Sequence, residues 1–513
     1  MHGLFSRTKG VGLTLFFALC AGPTFLSYLP YRFTWDDAEY LSRSIAVSRA
    51  FWAGNLYGML PGMVSFRPPM MTLLGLPWRT LATWNDLGKC FVTLDVLISL
   101  LAALCLYFLL RIGVKPVLLG AACICLLISL GPTTIFPPAS EAWSISLDVH
   151  SSSTAFLADS LFAWICLASL LLVCYEWRTP SARTRGALMR GVLWGVVLSM
   201  GAMTKINHLY FVVLALPLLF ILKLRGEGLK KALIALGGFA GTACLPALYL
   251  LTVGSSAIAN ARTSSFGSLA QYYLYPLSAF LKDIYHYSPG ILLVHAIVVA
   301  ILVYTVIRRP KAVLSPDALA IWIVVGFAAI ILSSPNRQPR YAFPEVVALP
   351  FLAAVLLSGK RPPRRRAMGS AVLAFCVLAC LSWPTRYRLA SNGLGDAPAV
   401  LNYAVANHAN RVLIATDSPT LNATLLGVAR QVSATPDWGR IDQLARISGT
   451  ATMDQESLQI RNSDLVVFQD KDKLFPPFTN LHVAEYERYV LGAGYASKRI
   501  GNDVTVYAVS GNR

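Results

Sequence analysis

Charge is scarce in this chain. Only 13% of its 513 residues are Asp, Glu, Lys or Arg, against 56% hydrophobic residues and a mean hydropathy of +0.57. A soluble globular domain carries about 25% charged residues, so a water-soluble enzyme is excluded as a reading of the whole. Acids are scarcer still, 25 against 44 Lys and Arg. Cysteine is absent after Cys380, and the ten cysteines up to that point fall at or inside apolar runs. They suggest no disulfide framework and no zinc spacing; Cys123-x-Cys125 and Cys376-x3-Cys380 read as packing residues in lipid-embedded helices. The chain also lacks an internal repeat, a low-complexity block and a Gly-x4-Gly-Lys phosphate loop. Leu491-Gly492-Ala493-Gly494 is out of register with a dinucleotide fingerprint.

What is present is a series of apolar runs near the length that crosses hydrocarbon, about 20 residues. About eleven are found by window reading: 11–29, 88–110, 116–135, 155–175, 188–203, 209–222, 232–252, 289–307, 318–333, 343–358 and 368–383. Runs 188–203 and 209–222 are short for a crossing, and the boundary at Lys205 reads as a re-entrant break. The first run follows Arg7 and Lys9 without a small-residue cleavage site, which favours a retained anchor over a signal peptide.

Lys and Arg alternate between the connections. With the N-terminus inside, the inner segments hold 20 basic residues, from Arg7 to Arg366, against only Glu176, Glu227 and Asp317. The +19 net charge is then an orientation signal and needs no nucleic acid. The expected location is the plasma (bacterial inner) membrane, with many passes, a cytoplasmic N-terminus and an extracytoplasmic tail. After Trp383-Pro384 the chain changes character: acids and bases nearly balance, and strands at 411–416, 464–469, 495–500 and 504–509 alternate with helices near 397–408, 418–429, 438–447 and 482–491. The expected organisation is a membrane part, 1–383, whose first outer loop spans 30–87, and a small α/β domain, 384–513.

The polar residues on the outer side carry the functional argument. Asp36, Asp37 and Glu39 cluster just after the first span, where acids are costly to hold at a membrane interface. The same side offers Tyr40, Arg67, His150, Asp159, Lys205, His208, Arg337, Arg340 and Tyr341. A carboxylate base beside cations at head-group level suits attack by a hydroxyl on a sugar whose leaving group is a lipid phosphate. Plainer alternatives stand beside this. Asp36 and Asp37 are also a favoured helix start, Asp159 is a helix-starting acid, and Lys205 is placed to snorkel to the interface. Asp148-x-His150 offers two candidate metal ligands, too few to argue for a metal. No cofactor follows from the residues.

Five phrases in order resemble the GT-C membrane glycosyltransferases, closest to the protein O-mannosyltransferase and lipid A aminoarabinose transferase group. They are Asp36-Asp37-Ala38-Glu39-Tyr40, Arg67-Pro68-Pro69, Leu157-Ala158-Asp159, Gly201-Ala202-Met203-Thr204-Lys205 and Arg340-Tyr341-Ala342-Phe343-Pro344. The resemblance implies an α-helical polytopic GT-C-like fold. It implies Asp36 as catalytic base, Asp37 in support, and Arg67, Lys205 and Arg340 on a polyprenyl phosphate. Glu39, Tyr40, Asp159, His150, Arg337 and Tyr341 would line or support the site. Asp37 stands where Glu is usual, and Arg67 where Lys is usual, a planar fork for a point charge. Spacing alone leaves open which of Asp36, Asp37 and Glu39 is the base. Metal use differs across the broader fold, so a divalent metal stays open, as do the sugar (hexosyl or pentosyl) and the acceptor (glycan, lipid or protein). A lipid or sugar transporter is the alternative; it should show related halves, and no repeat is present. A glycan polymerase or ligase would lack the ordered motif set.

Overall fold

The computed structural model describes residues 35–63, 67–83, 86–130, 158–180, 184–265, 276–287, 289–335, 337, 339–359, 394–418, 421–433, 437–444, 453–471, 482–501 and 503–509. The first described element is α1 (Trp35–Trp52). Nine of the eleven apolar runs follow as helices: α2 (Leu87–Arg111), α3 (Pro116–Leu130), α4 (Ala158–Arg178), α5 (Thr184–Thr204), α6 (Leu209–Glu227), α7 (Leu229–Tyr249), α8 (Pro289–Arg308), α9 (Pro316–Ser333) and α10 (Phe343–Ser358). The runs at 11–29 and 368–383 lie outside the described residues. The re-entrant break expected at Lys205 is corrected. Thr184–Thr204 and Ile206–Glu227 are each long and apolar enough to cross, at 21 and 22 residues. Only Lys205 is extended between them (φ −146°, ψ 133°), and a 3-10 turn, Ile206–His208, leads straight into α6. The windows looked short because Arg185, Lys223 and Arg225 sit toward the ends of these helices, outside the apolar runs.

The chain forms two compact units. One holds Val64–Met71 and the bundle from Val92 onward; the other gathers Tyr28–Met63, Thr72–Phe91 and Tyr387–Arg513. In the bundle, α4 is buried along almost its whole length between α5, α6, α9 and α10. α5 and α7 approach closely because Gly191 and Gly195, one turn apart, face the Ala235 carbonyl and the Thr242 hydroxyl, where a Cβ would overlap both. Small residues at this spacing let membrane helices pack backbone to backbone.

One end of the bundle is stapled by ion pairs. Arg178 binds both oxygens of Asp317, with Nη2 2.8 Å from Oδ2, and donates to the carbonyls of Ile112, Val355 and Gly359. It thereby ties α4 to α9, α10 and the end of α2. Glu176 accepts from Arg190 (3.0 Å), Lys223 (3.3 Å) and Trp194, and Lys223 also binds Glu227 (2.8 Å). The three acids of the predicted inner side, Glu176, Glu227 and Asp317, are thus all held in ion pairs. Arg178, Arg190 and Lys223 are accordingly packing residues. Arg178→Ala would leave Asp317 buried without its partner, a change that typically costs about 3–5 kcal/mol. A marked drop in thermal unfolding temperature in detergent is expected, measured by loss of monodisperse protein on heating.

The tail domain follows as α11 (Ala397–Ala406), β1 (Arg411–Ile414), α12 (Ala423–Gln431), β2 (Arg440–Gln443), α13 (Met453–Arg461), β3 (Leu465–Gln469), α14 (Val483–Gly492), β4 (Tyr495–Ile500) and β5 (Val504–Val509). The five-stranded sheet has the order β2-β1-β3-β5-β4. β2, β1 and β3 are parallel, while β3, β5 and β4 are antiparallel, and β4–β5 is the predicted hairpin. Val466, Phe468, Tyr486 and Tyr507 form the core between sheet and helices. The helix expected at 438–447 is corrected: 440–443 is strand β2. Its pattern is amphipathic, but pairing with β1 decides the state, and Asp442 fastens the edge by accepting from Arg411 and Arg440, each at 2.9 Å.

Candidate active site

Lys205 is the centre of the bundle site. It stands at the one extended residue between α5 and α6, so the helical turns on either side fix where its side chain leaves the backbone. Its ammonium bonds the carboxylate of Asp159, in the first turn of α4. The ammonium also lies 4.9 Å over the Tyr341 ring and 5.6 Å from the Phe162 ring. Asp159 is the deeper member, with 5% of its side chain exposed against 19% for Lys205. Among the described residues Asp159 is the one carboxylate paired with Lys205. An ammonium has three donors, so the pair with Asp159 leaves donors for an incoming anion.

Behind Lys205 the wall is aromatic and buried. His208 is fully buried and stacks on Phe211 at 5.4 Å, with Phe162 at 5.8 Å edge-on. Its ring nitrogens lie 3.7 Å from Cys166 Sγ and 3.3 Å from Ser169 Oγ. His208 therefore faces the interior of the bundle, which sequence reading placed on the outer rim. A Cβ at Gly201 would overlap the His208 ring. This gives a physical reason for glycine four residues before Lys205: it admits the imidazole that backs the turn. Gly201→Ala is expected to displace His208, to destabilise by about 1–3 kcal/mol as an overpacked core does, and to lower activity; thermal unfolding with a transfer assay checks it.

The remaining expected site residues fall as follows. Asp36 and Asp37 lie in the first turn of α1, with side chains outside the described set. Glu39 pairs with Arg43 one turn on (2.5 Å), and Tyr40 is buried in the core of its unit. Arg67 is half-buried beside the buried Pro68 and Pro69. Arg337 donates to the Ser334 carbonyl at 2.8 Å. Arg340 stands in the 3-10 turn Pro339–Ala342 beside Tyr341, its side chain outside the described set, and His150 and Asp148 lie outside altogether. The structure thus brings Asp159, Lys205 and Tyr341 together. Among the described residues no three His, Cys, Asp or Glu side chains converge as metal ligands. Sequence reading missed one pair in the bundle: buried Glu345, in the first turn of α10, lies 3.8 Å from His295 of α8. The available signal was two ionisable residues inside otherwise apolar spans.

No protein-family model matches the sequence, and no curated protein does. Among solved structures the chain is similar to ArnT from Cupriavidus metallidurans bound to undecaprenyl phosphate, at 14% identity and a TM-score of 0.50, over 98% of this chain and 99% of that one. It is similar to apo ArnT at 15% identity and a TM-score of 0.51, over 96% of this chain and 97% of that one. The chain has the ArnT fold. The resemblance read from five short phrases therefore holds at the level of architecture: a GT-C membrane helix bundle with a C-terminal α/β domain. Because the match to ArnT runs through bundle and tail alike, the tail is part of the shared fold.

Proposed function

We propose that the protein is an inverting glycosyltransferase that moves a sugar from a polyprenyl-phosphate donor to an acceptor on the outer face of the plasma membrane. The single observation that supports this best is Lys205, a mostly buried cation held by Asp159 over the Tyr341 ring, on a fold shared with a protein crystallised with undecaprenyl phosphate. The donor binds by its phosphate to Lys205, with Arg67 and Arg340 as further cations. The acceptor hydroxyl attacks the anomeric carbon from the face opposite the phosphate. Asp36 takes the hydroxyl proton, with Asp37 in support. The new carbon–oxygen bond forms as the bond to the lipid phosphate breaks, and the electron pair leaves with the phosphate. The cations stabilise the charge that builds there, and displacement from the opposite face inverts the anomeric centre.

The N-terminus is cytoplasmic in this reading and the α/β tail extracytoplasmic, as the alternation of basic residues implies. The donor is a polyprenyl-phosphate sugar, hexosyl or pentosyl, and the acceptor a glycan, lipid or protein. The test offers the purified protein, reconstituted in liposomes, a panel of radiolabelled polyprenyl-phosphate sugars with membrane extracts as acceptor source. Consumption of one donor with label moving to a non-donor product supports the reading. Consumption of none, across the panel, contradicts it.

A further inference from the structure

The acidic helix α1 is held by the tail domain. In the unit they share, α1 buries Ala38, Leu41, Ile45 and Ser48, and packs against α12, whose Leu425, Leu426, Val428 and Ala429 are buried in turn. One side chain ties three segments at this junction. Arg49 Nη2 donates to the carbonyl of Gln431, at the end of α12 (2.7 Å), and to the carbonyl of Leu81 in the first loop (3.0 Å). Gln431 answers with its own side chain, Nε2 donating to Ser42 Oγ on α1 at 3.1 Å. Ser48 and Trp52 donate to the carbonyls of Trp78 and Leu76, at 2.7 and 3.0 Å, so the loop grips the same end of the helix. One nitrogen, Nη2, serves both carbonyls, so the side chain is a fastener between helix, loop and tail.

We infer that Arg49 is a positioning residue for the transfer reaction, through which the tail domain aims the Asp36 end of α1. The inference rests on the reading of Asp36 as base. Asp36 and Arg49 are thirteen residues apart on one helix, a lever of about 20 Å at 1.5 Å per residue. A tilt of about 3° at the Arg49 end moves the other end by about 1 Å, and a misplacement of that size can cost about 10²-fold in rate. The tail domain thus contributes to the chemistry without supplying a reacting group. Sequence separation hides this, since Arg49 and Gln431 are 382 positions apart.

The test is a kinetic cycle on the full-length reconstituted protein: wild type, Arg49→Ala, Arg49→Lys, Asp36→Asn and Arg49→Ala/Asp36→Asn. Arg49→Ala is expected to lower kcat about tenfold or more with the donor KM unchanged, because the proposed phosphate cations are other residues. Arg49→Lys, which keeps a donor, should retain most of the rate. In the Asp36→Asn background Arg49→Ala should cost nothing further, since a residue that acts through Asp36 has nothing left to aim. Losses that multiply in the double variant overturn the inference in favour of a general structural role. If Asp36→Asn is slow and Arg49→Ala keeps the wild-type kcat, the positioning role alone fails. If Asp36→Asn itself keeps the rate, the base assignment fails and the inference goes with it. Should Arg49→Ala not accumulate, the Ser42→Ala/Gln431→Ala pair severs the side-chain bond between the same two helices and is read by the same cycle.

Discussion

Asp36→Asn is expected to lower sugar transfer in reconstituted membranes by about 10²-fold or more, the usual contribution of a positioned general base. Asn keeps the size and shape of Asp and removes the proton acceptor, so the donor KM should stay near wild type while kcat falls. Asp36 lies in the first turn of α1, where helix-starting acids are ordinary, and this variant separates the two readings. A helix-start role predicts a change of a few tenths to about 1 kcal/mol in stability and little change in kcat. The same measurement on Asp37→Asn and Glu39→Gln decides which acid is the base. Glu39 enters that comparison at a disadvantage, because Arg43 holds its carboxylate at 2.5 Å.

Lys205→Met is expected to show two separable losses. Transfer should fall about 10²–10³-fold if the ammonium stabilises the leaving phosphate. Folding should suffer as well, because Asp159 would remain buried without its cation, a situation that typically costs about 3–5 kcal/mol. The double variant Lys205→Met/Asp159→Asn removes the stranded charge. It should recover much of the stability, read by thermal unfolding in detergent, and none of the transfer. Recovery of both in the double variant would make the pair a structural one and remove Lys205 from the chemistry. Full transfer by Lys205→Met alone would do the same.

Much of the bundle was legible because lipid imposes a simple rule: about 20 apolar residues per crossing, with basic residues marking the ends. Nine of the predicted runs are helices. The rule failed at α5 and α6, where basic residues toward the helix ends shortened the apparent runs, although Lys223 is satisfied on Glu176 inside the protein. Lys205 and Asp159 could each be picked out by a motif. Their pairing could not, because the two are 46 positions apart and Asp159 is equally suited to starting a helix. His208 read as a rim residue from its place in the chain; the structure seats its ring inward, in space that a Cβ at Gly201 would fill. In the tail, the hairpin was marked by Gly501-Asn502-Asp503, whereas β2 was read as helix because an edge strand takes its state from its neighbour β1. The hold of Gln431 on α1 leaves no local pattern at all.

The most direct test of the transferase account is stoichiometry in sealed liposomes: sugar delivered to acceptor and polyprenyl phosphate released, counted together over one time course with wild-type protein. The account predicts one lipid phosphate freed for each sugar transferred, with the new glycosidic bond inverted relative to the donor. Donor that crosses between leaflets with its sugar–phosphate bond intact, and no phosphate released, would contradict it and make the protein a lipid transporter built on the ArnT fold.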